Sequence, residues 1–400
     1  MAEAQVNKYT PKDFKSDQEV RWCPGCGDHA VLSSVQRALA EMGIPKEKFA
    51  FISGIGCSSR FPYYMDTYGF HGIHGRASAI ASGVKTANPE LSVWQITGDG
   101  DALAIGGNHF IHAIRRNIDI NIILFNNEIY GLTKGQYSPT STKGLVTKTS
   151  PFGTVEEPFS VGELVIGAKG KFFARTIDTN VALSTQIYIE AEKHRGTSVV
   201  EVLQNCVIFN DGIHDTIAEK EVRDDRTLIL KHGQPMIFGK NNDKGLILEG
   251  CRKLKAVNLG ENGIAEKDIL VHDAFEPNPG IQYMLANMRY PEYPVALGVI
   301  RSVAGTTYDR LVQEQIEGIQ KTAKIKCMDD LLKSGHRRRH GSVGHRAFYR
   351  HHPGGRGGRI KRPAFRRGGE DRSRRGEARG RGCWRRHRPI ARTASSPGGP

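Results

Sequence analysis

Two apolar runs in this chain end in polar residues that a strand interior does not hold. Residues 91–97 close on Gly98-Asp99-Gly100-Asp101, and residues 118–125 close on Asn126-Asn127. Between them, residues 108–116 set Phe110, Ile111, Ala113 and Ile114 at helical spacing. Strand, helix and strand at these lengths make a βαβ unit, whose strands run parallel and whose polar ends share one edge of the sheet. Residues 49–55 and 198–203 read as further buried strands, and 77–87 and 308–326 as helices. The expected fold is therefore α/β, a mostly parallel sheet flanked by helices. Residues 233–244 read as loop, and 276–294, with several prolines, has no clear period. The sequence holds no internal repeat.

The strand ends carry a specific chemistry. Glycines there let a diphosphate approach the backbone, and helix-terminal N–H groups beyond them can bind it. A diphosphate carried with a hard cation needs oxygen ligands. Asp99 supplies a carboxylate, the Asn127 amide a second oxygen, and a nearby backbone carbonyl a third. Twenty-six residues separate Gly100 from Asn127, about one helix and one strand, so the two strand ends can hold one Mg²⁺ between them. Gly-Asp-Gly alone is usually just a turn; the downstream Asn and the βαβ setting argue for the site.

No run approaches the roughly 18 apolar residues of a membrane span, and residues 1–19 are polar and mixed in charge, unlike a signal peptide. A cytoplasmic chain with no membrane partner is expected, so its 7 cysteines point to metal, cluster or catalytic use before disulfides. Cys23-Pro24-Gly25-Cys26-Gly27 aims two thiols from one turn, which suits zinc, an iron–sulfur cluster or a redox disulfide. Polar residues 16–21 precede it, where a redox motif would follow a strand. Cys57 and Cys206 follow the runs 49–55 and 198–203 and so stand at the same sheet edge. Spacing alone leaves them equally well read as ordinary buried cysteines. Cys251, Cys327 and Cys383 lack such a setting.

The net charge of +15 belongs to one segment. Residues 337–400 hold 20 Lys and Arg against 3 Asp and Glu, whereas 1–336 hold 37 against 39. Of those 20 basic residues 19 are Arg, there is no Leu, and Gly354-Gly355-Arg356-Gly357-Gly358 recurs in kind. Such a segment buries too little apolar surface to offset its ordering entropy, and is expected to be disordered. Three readings stand: coding sequence read out of frame, a solvated tail, or an arm that binds phosphates. The frame reading is favoured, so a nucleic-acid partner is not expected.

Beyond single residues, the text in order resembles the β subunit of the 2-oxoacid:ferredoxin oxidoreductases. The carriers are Cys23-Pro24-Gly25-Cys26-Gly27, Ile55-Gly56-Cys57-Ser58-Ser59-Arg60, Ile73-His74-Gly75-Arg76-Ala77, Gly98–Ala102, and Asn127-Glu128-Ile129-Tyr130-Gly131-Leu132-Thr133-Lys134-Gly135-Gln136. Within that family the likeness is greatest to the 2-oxoglutarate enzymes, over roughly residues 15–335.

The resemblance implies a thiamine-diphosphate-binding fold at 21–210, after an N-terminal extension at 1–20 and before a C-terminal subdomain at 211–336. It implies three cofactors: thiamine diphosphate, Mg²⁺ and one [4Fe–4S] cluster. Cys23, Cys26, Cys57 and Cys206 match the cluster ligands. Asp99, Asn127 and the Ile129 carbonyl match the Mg²⁺ ligands. Ile55, Gly56, Cys57 and Ser58, then His74, Gly75, Arg76 and Ala77, then Gly98, Gly100 and Asp101 match the diphosphate and thiazolium cradle, with Gly131 and Leu132 completing the wall. Arg60 and His74 are the catalytic candidates, with Arg60 reading the carboxylates of the 2-oxoacid through a planar, bidentate grip. His71 falls outside the match and reads as structural.

The implied reaction is oxidative decarboxylation of 2-oxoglutarate with coenzyme A to succinyl-CoA and carbon dioxide, electrons leaving through the cluster to ferredoxin. A pyruvate or broad-specificity enzyme of the same family is the near alternative; a zinc-stapled, non-enzymatic protein and a nucleic-acid-binding protein are the distant ones. The family carries the glutamate that activates the aminopyrimidine on a separate α subunit, so this chain alone is expected to be inactive and to work as αβ or (αβ)₂. Related chains end a few residues beyond Leu331-Leu332-Lys333-Ser334-Gly335-His336, and this one continues for 64.

Overall fold

The strongest strand signal, the Ile-rich run before Asn126-Asn127, sits near the middle of the sheet. In the computed structural model, which describes residues 8–250, 252–325 and 327–334, the strands are β1 (Phe49–Ser53), β2 (Tyr68–His71), β3 (Ser92–Gly98), β4 (Asn121–Asn126), β5 (Ile129–Tyr130), β6 (Gln136–Tyr137), β7 (Phe172–Ile177) and β8 (Ser198–Leu203). Beyond residue 210 come β9 (Thr227–Leu230), β10 (Ile237–Phe238), β11 (Lys244–Glu249), β12 (Lys253–Asn258) and β13 (Val295–Ser302). The helices are α1 (Asp28–Met42), α2 (Ala77–Ala87), α3 (Gly107–Arg116), α4 (Val161–Gly167), α5 (Val181–Lys193), α6 (Asp215–Ala218), α7 (Arg223–Arg226), α8 (Gly280–Ala286), α9 (Tyr308–Thr322) and α10 (Met328–Ser334).

Eight strands form one sheet in the order β2-β1-β3-β4-β8-β7-β13-β9. Every pairing in it is parallel except β13 against β7. The segment beyond 210 thus returns to this sheet through β9 and β13, and also builds the small antiparallel sheet β10-β11-β12.

All six residues of β4 are buried, as a central strand covered on both faces requires. Its residues alternate between two cores: Ile122 and Leu124 face one, Ile123 and Phe125 the other. The first core takes Phe110, Ala113 and Ile114 of α3. The second takes Val31, Val35 and Leu39 of α1 with Ile187 and Tyr188 of α5. Cutting Phe125 back to Ala would cost about 3–5 kcal/mol at such a site.

Beyond residue 230 the sequence reading differs from this fold in three places. Residues 233–244 hold β10, too short at two residues to show alternation. Residues 276–294 hold α8, two turns starting after Pro279, shorter than a period needs to declare itself. The closing helix stops at Thr322, because Ala323 turns extended with ψ 131°. The compact unit ends at Leu331. The basic segment 337–400, with its three readings, lies outside the described residues. Among the described residues no helix is long and apolar enough to cross a membrane.

Candidate active site

Parallel pairing puts the carboxyl ends of β2, β1, β3, β4 and β8 side by side. Over them opens a cavity of about 460 Å³. It is lined by Ile55, Gly56, Cys57 and Ser58 beyond β1, His74 beyond β2, Gly98, Asp99, Gly100 and Asp101 at the end of β3, and Asn127, Ile129, Gly131 and Leu132 beyond β4. A larger, mostly apolar cavity of about 1140 Å³ lies by α5, β9 and β13 and takes in none of these residues. Chemistry, not size, marks the smaller one.

Three expected cradle residues sit behind that wall. Gly75 is left-handed (φ 65°) and packs on Gly106, where an added Cβ would fall 2.5 Å from the Gly106 nitrogen. Arg76 is the N-cap of α2, and Ala77 begins that helix and is buried. Arg60 lines a neighbouring cavity of about 250 Å³ with Arg21, Tyr63, Tyr64 and His71, and its Nε donates to the Tyr64 hydroxyl at 3.0 Å. His71 packs at a tilt against Tyr63 there, with ring centroids 5.5 Å apart, and its Nδ1 is buried without a hydrogen-bond partner.

The two acids of the Gly-Asp-Gly-Asp turn do different work. Asp101 Oδ1 accepts the backbone N–H of Gly75 at 2.7 Å and of Ile55 at 3.2 Å, and Oδ2 accepts the Thr97 hydroxyl at 3.0 Å. Asp101 therefore ties the loops after β1 and β2 to the end of β3. Asp99 is 3% exposed, and Ser138 and Thr140 each donate to its Oδ2 at 2.6 Å. Burial pushes its carboxyl up against those bonds, so a cation beside it would be strongly favoured. Asn127 Oδ1 accepts from the Ile129 N–H at 3.2 Å and keeps a second lone pair. Asp99, Asn127 and Ile129 all line the one cavity, and their oxygens suit Mg²⁺.

Close backbone approach explains the glycines. A Cβ on Gly100 would fall 2.1 Å from the Tyr130 ring, whose hydroxyl donates to the Gly100 carbonyl at 3.1 Å. Residues Asp101–Ile105 continue as a π-helical turn before α3. Such turns recur at functional sites because they re-aim side chains within a helix.

The thiols gather at one side of the cavity. Cys23, Cys26, Cys57 and Cys206 are all free. A Cβ on Gly131 would lie 3.4 Å from the Cys206 sulfur and 3.7 Å from that of Cys57. Burial, then the charge of Asp28 and the neighbouring thiols, pushes Cys57 up to about 12 and Cys26 higher still. Both thiols would be deprotonated far more readily beside a positively charged metal centre, and four cysteines are a number that could hold a [4Fe–4S] cluster. Among the described residues no three His, Cys, Asp or Glu side chains close on a single metal ion.

Several residues of the site were not legible in the sequence. Ser138 and Thr140 reach Asp99 from the irregular stretch after β6. Asp28 lines the cavity with Oδ2 buried and unpartnered, and burial followed by the charge of Asp178 pushes its carboxyl up to about 7. Gln204 stands between Asn127 and Cys26. Position next to Cys26 and Cys206 was the one available signal for the last two.

Residues 54–202 match the thiamine pyrophosphate enzyme family, C-terminal TPP binding domain. Over 313 residues the chain is 47% identical to the 2-oxoglutarate oxidoreductase subunit KorB of Mycobacterium tuberculosis, covering 78% of this chain and 83% of the relative. This chain belongs to the 2-oxoacid:ferredoxin oxidoreductase β-subunit family. Another member of that family, the 2-oxoglutarate synthase subunit KorB of Archaeoglobus fulgidus, is 48% identical over 185 residues, 46% of this chain and 69% of its own. Among solved structures, the 2-oxoglutarate:ferredoxin oxidoreductase of Magnetococcus marinus, with 2-oxoglutarate, coenzyme A and succinyl-CoA bound, superposes with TM-score 0.66 at 30% identity. That match covers 82% of this chain and 97% of the other.

Proposed function

We propose that this chain is the β subunit of a 2-oxoglutarate:ferredoxin oxidoreductase, which converts 2-oxoglutarate and coenzyme A to succinyl-CoA and carbon dioxide and passes the electrons through a [4Fe–4S] cluster to ferredoxin. The observation that carries the proposal is a shared wall. Cys57 and Gly131 line the cavity, and the Cys57 and Cys206 sulfurs face Gly131 from the thiol side. A one-electron acceptor held by those thiols would stand directly beside whatever reacts in the cavity.

Thiamine diphosphate would supply an electron-accepting thiazolium ring, at which a 2-oxoacid can lose carbon dioxide. The chain's own residues hold and orient. Asp99, Asn127 and the Ile129 carbonyl would hold Mg²⁺, and the glycine backbone at Gly98 and Gly100 would let the diphosphate lie close. Asp101 keeps the loops of Ile55 and Gly75 in place around it. His74, exposed where it lines the cavity, would be available to the reacting groups. Arg60 offers its guanidinium to a substrate carboxylate from the adjoining cavity. Among the described residues lining the main cavity there is no glutamate, which supports a partner α subunit as the source of the group that activates the aminopyrimidine.

Iron and acid-labile sulfide in the anaerobically purified complex test the cluster, and turnover by the β chain with and without its α partner tests the assembly. Four irons per β chain and turnover only in the complex are expected. A colourless complex, or full turnover by the single chain, would contradict the proposal.

A further inference from the structure

Gln204 is 1% exposed and uses every polar atom of its side chain. Its Oε1 accepts from Asn127 Nδ2 at 2.9 Å. Its Nε2 donates to the Asn205 carbonyl at 2.5 Å and to the Cys26 sulfur at 3.4 Å. The orientation is fixed by the network. The Ile129 N–H can only donate, so Asn127 must turn its oxygen there and its NH₂ toward Gln204. Gln204 then presents oxygen to Asn127, which leaves its NH₂ for the sulfur. One side chain thus contacts both an expected Mg²⁺ ligand and an expected cluster ligand.

We propose that Gln204 is a positioning residue that raises the reduction potential of the cluster and couples it to occupancy of the thiamine site; this rests on the reading of Cys26 as a cluster ligand. An N–H bond to a cluster thiolate stabilises the more negative, reduced state, so the donor raises the potential. Asn127 cannot shift toward a cation without moving the Gln204 oxygen, and the amide nitrogen on the same rigid group moves with it. The two centres then bias each other reciprocally. A purely structural Gln204 would brace the loop beyond β8 and leave the potential alone.

The test is a redox titration of the anaerobic αβ complex, followed by the electron paramagnetic resonance of the reduced cluster, with and without Mg²⁺ and thiamine diphosphate. Wild type should shift its midpoint on loading the thiamine site. Gln204→Met removes the bonds to Asn127, Cys26 and Asn205. It should lower the midpoint, leaving about tenfold fewer clusters reduced at a fixed poise, or about 59 mV for one electron, and it should abolish the shift. Gln204→Glu keeps an oxygen for Asn127 and loses the donor, so its midpoint should also fall. Iron content and thiamine diphosphate affinity by calorimetry accompany both variants. An unchanged midpoint in fully loaded Gln204→Met overturns the proposal, and so does loss of iron from both variants, which would make Gln204 a brace. A wild-type complex without the cluster overturns the parent reading as well, and is told apart by that control.

Discussion

The Asp101 carboxylate accepts the Gly75 backbone N–H at 2.7 Å, across a sequence gap of 26 residues. It also accepts the N–H of Ile55, so one buried side chain sets the position of two loops that wall the cavity. Asp101→Ala leaves both donors without that partner, at about 1–3 kcal/mol each. Thiamine diphosphate should bind about 10–100-fold more weakly to this variant, as for other residues that orient ligands from behind. Calorimetry on the αβ complex reads this; unchanged affinity would mean that the loops hold themselves.

Gly100 and Tyr130 make a paired test. Gly100→Ala drives a methyl to 2.1 Å from the Tyr130 ring and should abolish cofactor binding. Adding Tyr130→Ala makes room, so the double variant should recover part of the affinity. No recovery would show that the clash with Tyr130 is not what demands glycine.

Beneath the cavity, Arg175 Nε donates to Glu201 Oε2 at 2.7 Å, and both side chains are under 10% exposed. Glu201 Oε1 accepts from Asn126, whose Oδ1 lies 2.9 Å from the hydroxyl oxygen of Thr140, the residue that donates to Asp99. Arg175→Met strands a buried carboxylate and should cost about 3–5 kcal/mol in denaturant unfolding. Arg175→Met with Glu201→Leu should recover much of that loss, because neither charge is then left alone.

His194 sets an acid limb of stability. Burial holds it down at about 4, below its ordinary 6.5, and its Nε2 has no partner. Folded, it stays neutral where the unfolded chain is protonated. The unfolded state therefore binds more protons between about pH 6.5 and pH 4, and stability falls as pH drops through that window. His194→Gln should flatten this limb relative to wild type in pH-resolved thermal melts; an unaltered slope would assign the limb to other groups.

Cysteine replacements test the proposed cluster ligands. Cys206→Ser should lose iron, and Cys327→Ser, at an exposed position, should keep it. Equal iron in both variants would remove Cys206 from the ligand set.

The sequence carried the parts of this site that sit at strand ends. Gly98–Asp101 and Asn127 end adjacent strands, and a parallel sheet turns that order directly into proximity. Contacts made across loops were illegible. Asp101 read as part of the diphosphate cradle, and its role as a brace depends on Ile55 and Gly75 arriving from two other loops. Ser138 and Thr140 come from an irregular stretch with no period to anchor a prediction. α1 was not among the expected helices although Val31, Leu32, Val35, Ala38 and Leu39 recur at helical spacing. Short elements such as α8 and β10 fall below the length at which a pattern can speak.

The central claim is a reaction, and one anaerobic assay tests it most directly. The αβ complex, supplied with Mg²⁺ and thiamine diphosphate, is offered 2-oxoglutarate or pyruvate with coenzyme A, and viologen reduction is followed. Reduction that requires both 2-oxoglutarate and coenzyme A is the predicted result. Reduction with pyruvate alone would contradict the substrate, and no reduction by an iron-loaded complex would contradict the reaction itself.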